Sequence, residues 1–228
     1  MTQPIVDVNG VVKDYGQNSV VTHALRGVSL ALMPGEFTAM AGPSGSGKST
    51  LLNMIGALDR PTQGSVEIEG RDISAMKDAA LSRLRRDRIG FVFQGYNLIP
   101  VMTAFENAEY VLMLQGIAPD ERRRRVLAVL DQVGLAGMEK RFPRELSGGQ
   151  QQRVAIARAI APEPALVLAD EPTANVDSKT AQSLLSLMRD LNDKGITFLF
   201  STHDPAVMEK AKRLVTLKDG NIEDDEKR

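Results

Sequence analysis

The sequence contains no cysteine and no long apolar segment. Without cysteine the chain can form neither a disulfide nor a cysteine-based metal site, which fits a reducing compartment. No apolar run approaches the roughly 18 residues that a membrane-spanning helix needs. The first ten residues also lack the positive start and apolar run of a signal peptide. We therefore expect a chain that is soluble by itself and has a membrane role only through a partner.

Charge of one sign is also scarce, because the 228 residues carry a formal net charge of −1. Nucleic-acid-binding domains usually have a clear basic excess, so nucleic acid is not an expected partner. The run ERRRR (121–125) would suit lipid headgroups or nucleic acid, but a solvated helix face is the favoured interpretation. The hydrophobic content of 43% allows one large domain, or one domain with an insertion.

Short β-type runs fall into two kinds. Residues 5–12 and 28–33 alternate apolar and polar side chains near turn residues, which predicts an antiparallel edge sheet. Residues 89–93, 165–169 and 196–200 are almost uniformly apolar. Uniform apolarity is typical of strands that are buried on both faces of a parallel sheet.

Helical patterns lie between these strands. Residues 119–133 and 178–194 start and stop at helix signals and place apolar side chains on one face. The stretch from about 95 to 160 has helical patterning and no convincing strand, so we interpret it as a helical subdomain inserted into an α/β core. The charged tail EDDEKR (223–228) is expected to be disordered.

The segment GPSGSGKS (42–49) matches the P-loop pattern G-x-x-x-x-G-K-[ST]. Its glycines let backbone N–H groups turn towards phosphate oxygens, Lys48 reaches the terminal phosphates, and the Ser49 hydroxyl can ligate Mg²⁺. An apolar strand precedes the loop, and the helix that follows points its positive end at the anion. The segment predicts a nucleotide site formed by Gly42, Ser44, Gly45, Ser46, Gly47, Lys48, Ser49 and Thr50.

A P-loop needs a carboxylate that orients Mg²⁺, and ALVLADE (165–171) offers two at the end of a buried strand. Acids at such a position are costly unless a cation or a bound water uses them. We expect Asp170 to hold the coordination shell of the metal and Glu171 to polarise the attacking water as general base.

The segment LSGGQ (146–150) opens a second helix with two glycines in its first turn. Each glycine costs about 1 kcal/mol relative to alanine inside a helix. Ser147 and Gln150 fit a capping box, and bare glycines would leave the first amides open to an anion. We interpret Ser147, Gly148, Gly149 and Gln150 as a second phosphate cradle.

The two cradles need not serve one nucleotide within one molecule. If a second copy of the chain faces the first head to tail, the P-loop of one opposes the LSGGQ helix of the other. Each nucleotide is then clamped between two chains, and C2 symmetry creates two identical sites.

The P-loop, LSGGQ and the carboxylate pair, in this order along the chain, resemble the nucleotide-binding domain of an ATP-binding cassette (ABC) transporter. The resemblance covers nearly the whole chain, and LSGGQ is highly specific to the family. It implies an α/β fold: a P-loop NTPase core with a mostly parallel sheet, an N-terminal antiparallel β subdomain and an inserted α-helical subdomain. The implied core is 1–94 with 162–228, and 95–161 is the helical subdomain. The resemblance also implies hydrolysis of ATP with Mg²⁺, with Lys48, Glu171 and His203 as the catalytic residues.

Further roles follow from residues that match the motifs of the family. Tyr15 in VVKDYG matches the aromatic that stacks on adenine, although a surface aromatic on a strand looks the same. Gln94 matches the glutamine that senses Mg²⁺, with Ser49 and Asp170 as the other metal residues. His203 in FLFSTHD matches the histidine that contacts the γ-phosphate. Asp177 in TANVDS matches the aspartate that reaches across the dimer, and it also suits a helix cap.

Two longer stretches, residues 43–70 and 85–112, resemble the MacB/LolD group of the family. In that group the ATPase drives a permease by mechanotransmission. Export, or release of lipoproteins or peptides, is then the implied task. Polar amino-acid importers share LSGGQQQRVAIARA, so the ATPase of such an importer is an alternative. A soluble, non-transport ABC ATPase is another, although the chain lacks the coiled-coil insertion or second cassette of those proteins. Ala174 and Asn175 depart from the common family pattern, but the intact catalytic residues still predict activity.

The permease contact is expected along 94–111, next to Gln94. This stretch carries a dense apolar set, part of which would be core and part an exposed groove for a helix of the partner: Tyr96, Leu98, Ile99, Val101, Met102 and Phe105. The expected location is cytoplasmic and peripheral, on the inner face of the cell membrane through the permease.

Overall fold

The computed structural model describes residues 3–16 and 21–228, which form strands and helices in alternation. The strands, in chain order, are β1 (Val6–Tyr15), β2 (Thr22–Leu32), β3 (Phe37–Ala41), β4 (Gln63–Ile68), β5 (Arg71–Asp72), β6 (Ile89–Val92), β7 (Leu166–Asp170), β8 (Thr197–Ser201), β9 (Arg213–Lys218) and β10 (Asn221–Lys227). The α-helices are α1 (Lys48–Ile55), α2 (Asp78–Arg88), α3 (Ala104–Leu114), α4 (Pro119–Gln132), α5 (Gly148–Ile160), α6 (Ser178–Asp193) and α7 (Pro205–Met208), and a short 3-10 helix spans Pro143–Glu145.

Strands β2, β1, β4 and β5 form an antiparallel sheet in that order. Apolar side chains of β2 alternate with exposed polar ones, as one buried face requires. The antiparallel sheet that the sequence predicts near the N-terminus is confirmed.

The second sheet has the order β10-β9-β3-β8-β7-β6, and every pair except β10 with β9 is parallel. Strands β3 and β8 are buried along their whole length. Alternate residues of β8 enter two different cores: Phe198 and Phe200 face helices α3–α6, whereas Leu199 faces α1 and the antiparallel sheet. The predicted parallel sheet, buried on both faces, is confirmed.

The stretch between β6 and β7 contains helices and, among its described residues, no strand. Val126, Leu130 and Val133 are fully buried on one face of α4 and just beyond its end, as the spacing predicts. The boundaries 95 and 161 of a separate helical subdomain stay a prediction.

The charged tail is not disordered, and that expectation is wrong. Residues Asn221–Lys227 pair with β9 as the edge strand β10. Arg213 of β9 donates two 2.7 Å hydrogen bonds to Asp225 and one of 2.7 Å to Glu36. The Arg213 guanidinium also lowers the pKa of Asp225 below its usual value. A buried cation in the neighbouring strand therefore gives the acidic tail its partner.

We predict that Arg213→Ala lowers the free energy of unfolding by about 1 to 3 kcal/mol, because it leaves the largely buried Glu36 carboxylate with only long contacts to Lys227 at 3.8 Å and the Thr38 hydroxyl at 3.3 Å. Lys218→Ala is the matched control, since it removes an exposed ion pair with Glu223 between the same two strands and should cost less than about 1 kcal/mol. Urea unfolding measures both, and equal losses would contradict a structural role for Arg213.

Candidate active site

The loop that joins β3 to α1 has the backbone of a phosphate cradle. Gly42, Gly45 and Gly47 have φ values of 142°, 80° and 107°, in the region that favours glycine. A Cβ on Gly42 would lie 2.1 Å from the Leu217 carbonyl oxygen, so this loop also depends on close packing. No described side chain caps α1, which leaves its first N–H groups to a ligand.

Two polar side chains are buried within this loop. The Lys48 ammonium donates to the carbonyl oxygens of Gly42 at 2.7 Å and Pro43 at 3.0 Å. The Ser46 hydroxyl is buried and has no hydrogen-bond partner among the described residues. Buried polar groups are normally paired. An oxygen-rich anion in the loop would supply the partner that Ser46 lacks.

The predicted carboxylates lie opposite the loop, at the carboxyl end of the parallel sheet. The Ser49 hydroxyl donates to Asp170 Oδ1 at 3.2 Å. His203 Nδ1 and Glu171 Oε1 are 2.9 Å apart, and the His203 side chain is 70% exposed whereas that of Glu171 is 17% exposed. The pair therefore presents an imidazole to the surface and a sheltered carboxylate behind it.

A cleft of about 640 Å³ brings most of the predicted site together. It is lined by residues of the P-loop and by Gln94, Asp170, Glu171 and His203. Sequence reasoning missed three residues of β2 that also line it: Thr22, His23 and Ala24. They reach the cleft because β2 runs back alongside β1 with His23 opposite Asp14, where His23 Nδ1 and Asp14 Oδ1 are 2.7 Å apart.

Tyr15 ends β1 and is not one of the residues that line the cleft. Its hydroxyl donates to Asp59 Oδ2 at 2.8 Å, and the Lys13 ammonium lies 4.8 Å from the ring centroid. Burial and the Asp59 hydrogen bond raise the pKa of Tyr15, while the side chain of Thr50, which lines the cleft, opposes them. The role of Tyr15 towards a base stays a prediction.

The LSGGQ segment begins α5 with the expected capping box. Ser147 Oγ accepts from the Gln150 N–H at 3.3 Å, and Gln150 Oε1 accepts from the Ser147 N–H at 2.9 Å. None of these residues lines the described cleft. The chain alone therefore keeps its two glycine-rich helix ends in separate places.

The two glycines of LSGGQ also have a packing reason within the chain. A Cβ on Gly148 would lie 2.7 Å from the Tyr96 hydroxyl oxygen, and a Cβ on Gly149 would lie 2.4 Å from Thr180 Cγ2. The sequence argument names only an anion as the cause of the bare backbone. Close contact with two neighbouring segments is a second cause.

Segments around Gln94 and Asn175 are tied together beside α5. The Asn175 amide donates to the Gln94 carbonyl oxygen at 2.9 Å, and the Tyr96 hydroxyl donates to the Asn175 carbonyl oxygen at 3.2 Å. The Arg158 guanidinium of α5 donates to the Tyr96 carbonyl oxygen at 2.9 Å, and its burial lowers its pKa. Asn175, a departure from the family pattern in the sequence, thus joins the two loops.

Asp177 caps α6, as one of its two predicted roles requires. Its side chain accepts from the Thr180 N–H at 3.0 Å and from the Thr180 hydroxyl at 2.6 Å. These bonds lower the pKa of Asp177. A contact across a dimer stays a prediction.

Comparison with known proteins gives the same assignment as the site. Residues 25–174 match the ABC transporter family. The chain is 51% identical to the lipoprotein-releasing system ATP-binding protein LolD of Anaeromyxobacter dehalogenans, over 96% of this chain and 92% of that protein. It is 45% identical to the macrolide export ATP-binding/permease protein MacB of Marinobacter nauticus, over 98% of this chain but only 35% of MacB.

A solved structure supports the same fold. It is the dimeric, post-hydrolysis ATP-binding cassette MJ0796 bound to ADP and Pi, and it superimposes with a TM-score of 0.90 at 45% identity. The match covers 97% of this chain and 98% of that one. The chain therefore belongs to the ABC transporter family, and the fold and the ATPase class that its sequence predicts are confirmed.

Proposed function

We propose that this chain binds MgATP in the cleft above the P-loop, closes on a second copy of itself and drives a membrane permease of the kind served by LolD and MacB. The observation that carries the proposal is the cleft, where Lys48, Gln94, Asp170, Glu171 and His203 meet. A P-loop with a carboxylate pair and an exposed histidine at one edge of a parallel sheet suits phosphoryl transfer to water.

The residues present fit Mg²⁺. Ser49 and Asp170 already meet through a hydrogen bond of 3.2 Å, and Gln94 lines the same cleft. Hydroxyl, carboxylate and amide oxygens suit this hard cation, which usually binds one or two protein groups together with the substrate phosphates. The described residues hold no cluster of three or more His, Cys, Asp or Glu side chains that would build an all-protein cage. When bound, Mg²⁺ neutralises charge on the phosphates.

Glu171 acts as the general base in this proposal. Its carboxylate is sheltered, and His203 Nδ1 lies 2.9 Å from Oε1, which holds the carboxylate in one orientation. A water between Glu171 and the terminal phosphate would give its proton to the carboxylate as it attacks. The exposed His203 is placed to contact the same phosphate.

The LSGGQ helix supplies the second half of each site in trans. Its residues do not line the cleft of their own chain, yet they form an N-terminal helix end of the kind that binds anions. The MJ0796 cassette, 45% identical, forms a dimer with ADP and Pi. We propose the same dimer here, with Ser147 of each copy facing the nucleotide of the other.

A groove of about 300 Å³ next to Gln94 is the proposed permease site. Its exposed wall is mainly apolar, although Arg85, Arg86 and Arg158 also line it, and the centroids of the stacked Phe91 and Phe93 rings lie 5.7 Å apart. Leu58 at its edge is 48% exposed, and Val101 of the nearby loop is 79% exposed. Only Asn97 and Val111 of the predicted stretch 94–111 line it, and the rest comes from 58–93 and 158–162. An apolar groove of this size suits a short helix of the partner.

The helices that the structure describes include none long and apolar enough to cross a membrane. From the similarity to LolD and MacB, we propose a peripheral location on the cytoplasmic face, where a permease would hold the chain. The 51% identity to LolD and 45% identity to MacB support this branch over an importer ATPase.

Glu171→Gln should lower ATP turnover at least about 100-fold, because a general base contributes roughly 10² to 10⁴ to the rate. The variant should still bind MgATP and shift from monomer to dimer in light scattering. Glu209→Gln, at an exposed glutamate just after α7, is the control and should turn over ATP like the parent. Parent-like turnover of Glu171→Gln would refute the proposed chemistry.

Ser147→Arg in the Glu171→Gln background should leave the affinity for ATP unchanged and abolish the ATP-dependent dimer, because its bulk blocks the face that meets the second nucleotide. Titration with a fluorescent ATP analogue and light scattering measure the two effects. Ser186→Arg, on the exposed side of α6, is the control for added charge. A normal dimer of Ser147→Arg with an intact melting curve would refute the role of LSGGQ in trans.

Leu58→Asp should lower retention of the chain on membranes that contain its permease by about tenfold or more, since the new carboxylate would have to lose its hydration when the partner covers the groove. Leu127→Asp is the matched control, because Leu127 is 36% exposed on α4 and lies outside the groove. Co-sedimentation with native membranes and with protein-free lipid vesicles measures both. Equal retention of the two variants, or equal binding to the vesicles, would contradict a permease groove at Leu58.

A further inference from the structure

Ser201 is a completely buried polar residue at the edge of the active site. It ends β8 and is in register with Met40 of β3 on one side and Asp170 of β7 on the other. It therefore lies between the strand that leads into the P-loop and the strand that carries the carboxylates. A hydroxyl buried at such a place requires partners.

Both partners of the Ser201 hydroxyl belong to the carboxylate pair. Ser201 Oγ donates to Asp170 Oδ1 at 2.6 Å and accepts from the Glu171 N–H at 2.9 Å. A hydroxyl carries one proton, so the bond to Asp170 leaves only its lone pairs for the Glu171 N–H. The bond to the carboxylate is short, as bonds to charged acceptors are. The Ser201 Oγ atom thus holds both the Asp170 side chain and the backbone of the next residue, Glu171.

Glu171 needs such a restraint, because its backbone is in the left-handed region with φ of 48°. That conformation is unfavourable for a residue with a Cβ and occurs where the surroundings enforce it, often at functional sites. The Glu171 N–H is held by Ser201, and its carbonyl oxygen accepts from the Ala174 N–H at 3.2 Å. With its backbone held at both ends, Glu171 places Oε1 2.9 Å from His203 Nδ1.

We propose that Ser201 is a positioning residue for ATP hydrolysis, whose buried hydroxyl sets the orientation of the Asp170 carboxylate and the backbone of Glu171. The proposal rests on the proposed roles of Asp170 with the metal and of Glu171 with the attacking water. Ser201 is not proposed to touch the metal or the attacking water. Its effect passes through the Asp170 carboxylate and the Glu171 backbone. Groups that orient a metal-binding carboxylate typically change metal affinity or activity 10-fold to 100-fold when removed.

Ser201→Ala should lower kcat by about tenfold or more and raise the dissociation constant of Mn²⁺ by a similar factor, as loss of an orienting group does. Mn²⁺ binding is measured by electron paramagnetic resonance with a non-hydrolysable ATP analogue present, so this readout does not depend on turnover. The affinity for ATP in EDTA should not change, because the P-loop is untouched. Ser201→Thr keeps the hydroxyl and should restore kcat and Mn²⁺ affinity.

Thr197→Val is the matched control. Thr197 is 1% exposed at the opposite end of β8, and its hydroxyl accepts from the Gly35 N–H at 2.9 Å. Its loss removes a buried hydroxyl from the same strand and should lower the melting temperature without a change in kcat or Mn²⁺ affinity. If Ser201→Ala behaves like Thr197→Val in both, Ser201 is merely structural and the proposal is overturned.

Glu171→Gln, assayed alongside, separates the two levels of inference. Loss of turnover in Glu171→Gln together with a control-like Ser201→Ala overturns the positioning role and leaves the proposed function intact. Parent-like turnover in Glu171→Gln overturns the proposed role of Glu171 as general base, and the role of Ser201 in holding its backbone falls with it. Loss of turnover in Glu171→Gln, with weaker Mn²⁺ binding by Ser201→Ala and rescue by Ser201→Thr, supports both.

Discussion

The parallel register of β3, β8 and β7 is the constraint on which the active site depends. These strands bring Met40, Ser201 and Asp170 to the same level, so the residues that follow each strand gather at one edge. Buried apolar strands tolerate polar groups only where they end, which concentrates the chemistry there. The Ser49–Asp170, Ser201–Asp170 and Glu171–His203 contacts are all consequences of that alignment.

A second set of contacts ties this edge to the surface where a partner would bind. Asn175 and Tyr96 join the loop after β6 to the loop after β7, and Arg158 of α5 donates to the Tyr96 carbonyl oxygen in the first of these loops. Arg158 also lines the apolar groove, and α5 starts at the glycines of LSGGQ. The hydrogen bonds of Tyr96, Asn175 and Arg158 thus connect the groove with the loop that follows the carboxylates and with α5. The physical link is a short chain of hydrogen bonds between packed segments.

Patterns of local chemistry were enough to predict much of the molecule. Uniform apolar runs identified β6, β7 and β8, and alternation identified the antiparallel sheet, because burial on two faces or one leaves a direct trace in the residue order. The tail at 223–228 was wrongly predicted, because its charged residues look like a solvated tail in the sequence. Arg213, 12 residues before Asp225, becomes its partner only when β10 pairs with β9. His23 and Leu58 were missed for a related reason: each reaches its site only through the folding of another segment against it.

The residue order was enough to predict the P-loop, the carboxylate pair, the capped LSGGQ helix and the ABC family, because each is a local arrangement whose residue types and spacing carry the chemistry. Which groups meet across segments depends on the folded chain. It placed the buried hydroxyl of Ser201 between Asp170 and Glu171, set Gly148 and Gly149 against Tyr96 and Thr180, and built the groove from distant parts of the chain. These contacts depend on strand register and helix packing, which arise from the burial of the whole core and leave no short motif behind.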